Sequence, residues 1–135
     1  NMRGVDISKH CANFDRFMSL ATCPTIAIGD GGNEIGMGII GDALAKLDIQ
    51  PSTTTCDELL LADISNWAAH GLLALVSVLV EEDMLSGWDN DAVLTFLSNG
   101  GSVDGVTGEN TLTEDSVASS VSQQLVEDLQ ILSGF

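Results

Sequence analysis

Pro24-Thr25-Ile26-Ala27-Ile28-Gly29-Asp30-Gly31-Gly32-Asn33-Glu34 is the stretch whose reading decides the fold. Residues 25–28 form a compact apolar run between a proline and a glycine, which reads as a buried strand. The glycines then turn the chain. A helix is expected from Asn33 or Glu34 to about Leu47, with Leu44 and Leu47 on its buried side. Leu59-Leu60-Leu61-Ala62 repeats the pattern as a second buried strand, although so short a run also fits a helix. Asp63-Ile64-Ser65-Asn66 supplies a capped helix start. The helix that follows, over residues 67–82, is apolar nearly all round and should be packed on several sides. Strand, turn, helix, strand, turn, helix is the grammar of a parallel α/β fold.

The flanking segments extend this reading. Phe14, Phe17, Met18 and Ala21 have helical spacing and place a short amphipathic helix before Pro24. Asp89-Asn90-Asp91 opens a further helix that stops at Asn99-Gly100-Gly101. Residues 102–107 read as a short strand or extended loop. Thr113 should cap a last helix, with Val117, Val121, Leu125, Leu129 and Leu132 as its apolar stripe. The expected fold class is α/β, a parallel sheet with flanking helices. Two or three strands leave long open edges, whereas parallel sheets are covered on both faces. The sequence therefore reads as an incomplete half of a larger α/β domain. A second copy or a missing N-terminal segment should complete it.

Composition narrows the partners. In 135 residues, 20 Asp and Glu face four Lys and Arg, giving a formal net charge of −16. Such a surface repels nucleic acid phosphates and anionic membranes. It would also repel itself in dilute buffer, but at molar salt the Debye length falls to about 3 Å. The chain thus reads as adapted to a salt-rich cytoplasm, with an acidic protein of ordinary cytosol as the alternative. Cys11, Cys23 and Cys56 form no CxxC pair, and His10 and His70 complete no zinc pattern, so reduced thiols in a reducing compartment are expected. The opening residues lack the apolar run of a signal peptide. The apolar stretch 67–80 falls short of the roughly 20 residues that a membrane span needs.

The glycine-rich turn carries the chemistry. It sets two carboxylates and an amide after a buried strand, where open α/β sheets collect ligands. Asp30, Asn33 and Glu34 are hard oxygen ligands of the kind Mg²⁺ or Mn²⁺ takes. Gly29, Gly31 and Gly32 allow the backbone to approach a ligand closely. A purely structural turn, with Asp30 and Asn33 capping the helix, is the competing reading. Gly36-Met37-Gly38-Ile39-Ile40-Gly41 matches GxGxxG but lies past the turn, so close packing explains it better than a dinucleotide. Asp57 and Asp63 bracket the second strand. If the strands are parallel neighbours, Asp63, Ser65 and Asn66 emerge beside Asp30 and Asn33, unless Ser65 only caps its helix. Asp104, in Val103-Asp104-Gly105-Val106-Thr107, is a third candidate, or simply a turn residue. His70 reads as a hydrogen-bonded core residue rather than a base.

At these residues the chain resembles the C-terminal domain of the D-glutamate cyclase family. The matching pieces are residues 1–7 (Asn-Met-Arg-Gly-Val-Asp-Ile), residues 29–38, Ser65-Asn66-Trp67, and residues 103–107. Ala68 stands where the family usually has glycine, and the match covers roughly the C-terminal half of the family domain. The resemblance implies an α/β fold and, in two-domain vertebrate members, conversion of D-glutamate to 5-oxo-D-proline and water. On that basis the expected substrate is a small amino acid or carboxylate. A divalent metal (Mg²⁺ or Mn²⁺) at Asp30, Asn33 and Glu34 would offset its charge, and Asp63 or Asp104 would serve as base. Gly29, Gly31, Gly32, Ser65 and Asn66 would contact the ligand. The competing class is a non-enzymatic module that binds a metal or small ligand and lacks its catalytic part.

Overall fold

The computed structural model describes residues 1 and 3–135; Met2, in the opening motif, lies outside the described residues. The chain divides into two compact units, Asn1–Ala68 and Ala69–Phe135.

In the first unit, a short helix α1 (Asp15–Leu20) precedes strand β1 (Ile26–Gly29), and α2 (Gly41–Leu44) precedes β2 (Glu58–Leu61). β1 and β2 pair in parallel, with Ile26 opposite Glu58 and Gly29 opposite Leu61. The α/β class and the parallel sheet expected from the sequence are therefore present, and both strands lie within one residue of their expected bounds. The register is pinned at the amino ends of the strands. There Asp57 Oδ2 accepts from the Thr25 N–H at 2.7 Å and from its hydroxyl at 2.8 Å. The Thr25 hydroxyl oxygen accepts in turn from the Asp57 N–H at 3.0 Å. These bonds hold the Asp57 carboxyl below its ordinary pKa. Ala27, Met37, Leu44 and Ile64 form the buried apolar residues of this unit, with Ala68 at its end.

The helix expected over residues 33–47 is not formed. Gly36 has φ +100°, outside the right-handed helical region, and its neighbourhood bridges to Thr55. A 3-10 turn (Gly38–Ile40) leads into the single turn of α2. The glycines are there for close approach: a Cβ on Gly36 would overlap the Ala27 methyl, and one on Gly38 would sit 2.6 Å from the Thr53 carbonyl carbon. The Gly38 N–H donates to the Thr54 carbonyl at 2.9 Å, so this run is stitched to the segment before β2. The glycine pattern thus packs backbone against backbone and does not open a helix.

α3 (Ser65–Val80) begins in the first unit and continues into the second, which adds α4 (Asn90–Asn99), the hairpin pair β3 (Thr113–Glu114) and β4 (Val117–Ala118), and α5 (Ser119–Ser133). Asp89 caps α4 by accepting from the Ala92 N–H at 2.9 Å. Thr113 does not cap the last helix. It lies in β3, and two positive-φ residues, Asp115 and Ser116, turn the chain into β4 before α5 starts. The apolar stripe expected on α5 is rotated. Ser119, Ser122 and Val126 are its buried residues, while Val121 and Leu132 are exposed. Ser119 meets Asn90, which is 1% exposed and whose amide donates to Glu114 Oε2 at 2.9 Å and to Ser119 Oγ at 3.1 Å. The apolar core here is Ala74, Leu85 and Val126, with Leu73, Trp88 and Leu129 around it.

Two expectations for α3 are corrected. Leu75, Val78, Leu79 and Val80 are exposed, so the helix is not packed on all sides. His70 is buried, at 4% exposure, but neither ring nitrogen has a hydrogen-bond partner. Its ring meets Trp88 edge-on with centroids 4.8 Å apart, and burial lowers its pKa against an opposing pull from Glu114. Among the described residues, no helix is long and apolar enough to cross a membrane.

Candidate functional site

Parallel pairing delivers the ends of β1 and β2 to one side, so Asp30 and Asp63 leave the sheet together. Both line a cleft of about 470 Å³, whose other walls are Gly31, Gly32, Met37, Ile40, Ala43, Leu44, Leu47, Leu61 and Ala62. This is where open α/β sheets place their ligands. The cleft is apolar below and acidic at two points.

Asp30 is fixed by the start of α3. Its Oδ2 accepts from the Ser65 N–H at 2.8 Å and from the Ser65 hydroxyl at 2.5 Å. The cap acceptor for α3 is thus a carboxylate 35 residues away, and Ser65 donates to it. A cap of this kind stabilises a helix by about 1 kcal/mol. Among the described residues, no hydrogen bond engages Asp30 Oδ1 or the Asp63 carboxylate.

Glu34 folds back onto its own turn. Its Oε1 accepts from the Gly31 N–H at 3.2 Å and its Oε2 from the Gly32 N–H at 2.9 Å. This bidentate clasp holds the glycine turn, whose Gly32 has φ +101°. Asn33 is exposed and, like Glu34, Gly29, Ser65 and Asn66, does not line the cleft. Among the described residues, no three His, Cys, Asp or Glu side chains are grouped to hold a metal ion.

Asp104 belongs to the second unit, and its carboxylate is saturated by its own loop. Oδ1 accepts from the Val106 and Thr107 N–H groups at 2.9 and 2.8 Å. Oδ2 accepts from the Thr113 hydroxyl at 2.6 Å and the Ser116 N–H at 2.8 Å. The Thr113 hydroxyl, followed by these backbone donors, holds its pKa far below the carboxylate range. A carboxylate so held is a weak base; its geometry is that of a loop organiser.

Sequence reasoning found Asp30, Gly31, Gly32 and Asp63 but assigned no role to the floor of the cleft. The signal was present, since Met37, Ile40, Leu44 and Leu47 recur at intervals of three and four. Of these, Leu44 and Leu47 were read as the buried side of a helix that does not form.

A cleft with two carboxylates lies at the carboxyl end of the parallel strand pair of an α/β unit. The sequence model of the family described as D-glutamate cyclase-like, C-terminal, matches residues 1–130, and the chain belongs to that family. No curated protein matches it.

Proposed function

We propose that the chain acts on a small amino acid in the Asp30–Asp63 cleft, with D-glutamate as substrate and 5-oxo-D-proline and water as products. The observation that supports this most is the placement of those two carboxylates over an apolar floor at the strand ends. The substrate's methylene groups lie on Met37, Leu44 and Leu61, which keeps water from the carbon that the amine attacks. Asp63 takes a proton from the ammonium group, freeing the amine to form the lactam C–N bond; it returns that proton, and then the second one that the nitrogen sheds, to the γ-carboxyl oxygen, whose C–O bond breaks as it departs as water. An ammonium holds its proton over a carboxyl by at least about 4 pKa units, about 5 kcal/mol. That is a modest part of the about 16 kcal/mol barrier of a reaction running ten times per second. Asp30 Oδ1 would hold Mg²⁺ or Mn²⁺, which when bound would offset the charge of the γ-carboxylate.

A second reading, a ligand-binding module without turnover, is favoured by one observation: among the described residues, the ionisable groups lining the cleft are all carboxylates. Proton NMR of D-glutamate with the chain in KCl and MnCl₂ separates the two, alongside calorimetry. Product formation that is lost in Asp63→Asn while binding persists supports cyclisation. Binding without product establishes the module. Equal Mn²⁺ heats from the wild type and Asp30→Asn would remove the metal from this cleft, and no D-glutamate binding at all would overturn both readings.

A further inference from the structure

The geometry points to a second copy of this chain as the occupant of the apolar groove between α3 and α5. The groove measures about 250 Å³ and is walled by Gly71, Ala74, Leu75 and Val78 on α3 and by Leu129 and Leu132 on α5. A Cβ built on Gly71 would meet nothing within 4 Å, so the helix surface is notched there. The same two helices carry the projections that would fill such a notch. Leu79 is 81% exposed and Leu132 82%, and Leu75, Val78, Val80 and Ile131 are exposed beside them. A surface bearing both notch and knob is self-complementary, which is what a two-fold interface requires.

Charge argues for the same occupant. The chain carries −16, yet the 16 residues of α3 include no Asp, Glu, Lys or Arg. A second copy approaching along α3 brings no carboxylate against another at the centre of contact, while Glu81 and Glu82 directly follow α3 and Asp128 precedes Leu129 on α5. This is an apolar centre with a charged border, the usual anatomy of an interface. A Leu-sized side chain buries on the order of 100 Å². The six exposed side chains named above, three of which (Leu75, Val78 and Leu132) also wall the groove, therefore offer roughly 400 Å² per protomer. The pair approaches the about 1,000 Å² that a specific interface clears. Rim repulsion makes the association salt-dependent. At molar KCl, where screening acts over about 3 Å, the copies pair; in dilute buffer, with a Debye length of about 30 Å, they separate.

Light scattering on the full chain over a range of concentrations tests this. The expected result in molar KCl is a species of twice 14.1 kDa that dissociates as salt is removed. Leu79→Glu should give a monomer with an unchanged circular dichroism spectrum, and Leu132→Glu serves if the first variant misfolds. Phe96→Glu adds the same charge at a side chain that is 78% exposed on α4, and should leave the dimer intact. A wild type that stays at 14.1 kDa in molar KCl overturns the inference, as does dissociation by Phe96→Glu to the same extent as by Leu79→Glu.

Discussion

Replacing Gly36 by alanine tests the role assigned to the glycine run. The residue sits at φ +100°, and a Cβ there would overlap the Ala27 methyl on β1 and lie 3.2 Å from Cys56 Sγ. Holding an L-residue in the left-handed region costs about 1–2 kcal/mol. Forcing a methyl into a packed interior costs a further about 1–3 kcal/mol, and the stiffer unfolded chain adds about 0.4–1 kcal/mol to the loss of entropy avoided, in the opposite direction. The net expectation is a loss of about 3 kcal/mol, a large part of the about 5–15 kcal/mol that holds a domain folded. Gly41→Ala is the control. Gly41 has φ −50° and ψ −37° at the start of α2, and its Cβ would meet nothing within 4 Å. That variant should match the wild type or gain up to about 1 kcal/mol. Urea titrations in molar KCl, followed by circular dichroism and by the fluorescence of Trp67 and Trp88, read both. The midpoint for Gly36→Ala should fall by about 1–3 M, given a typical slope of about 1–3 kcal/mol per M. A Gly36→Ala midpoint within error of the wild type, or an equal fall in Gly41→Ala, would refute the close-packing account.

Two further outcomes follow from charge. Burial lowers the His70 pKa, so the unfolded chain binds a proton more readily than the folded one. The stability associated with neutral His70 is present above the unfolded value of about 6.5 and is lost as pH falls below it. Melting temperatures from pH 8 to 5 should therefore decline more steeply in the wild type than in His70→Phe, and parallel curves would dismiss the effect. Dialysis from molar KCl into dilute buffer should cost structure, because −16 on 135 residues is unscreened there. A circular dichroism melt that is unchanged by dialysis would show that the fold does not depend on salt.

The strands were legible because an apolar run flanked by Pro24 and Gly29 has few alternatives, and their parallel pairing followed from the order of elements. Asp30 and Asp63 were legible for the same reason, since strand ends in such a sheet lie together. The helix over residues 33–47 was misread because its apolar spacing survives in Met37, Ile40, Leu44 and Leu47, while the obstacle is a tertiary one: Gly36 lies against Ala27 and Gly38 against Thr53. The buried face of α5 was misread because serine scores as polar, although Ser119 and Ser122 are interior residues, Ser119 through its bond with Asn90. Glu34 has the composition of a ligand, but its two backbone bonds depend on turn geometry that no spacing rule encodes.

Asp30 has one carboxylate and two obligations. One oxygen rivets the first turn of α3 through Ser65; the other is left to a residue that lines the cleft. If, as proposed, a cation binds the second oxygen, it would withdraw negative charge from the first, so its occupancy of the cleft would loosen the rivet. The message is local and legible: the Ser65 amide proton would exchange faster when the cleft is filled than when it is empty. Asparagine at position 30 would cut that wire while leaving the rivet in place, because its carbonyl oxygen can still receive both Ser65 donors and its amide offers a cation nothing. The strand end and the helix start are therefore two terminals of a single functional group.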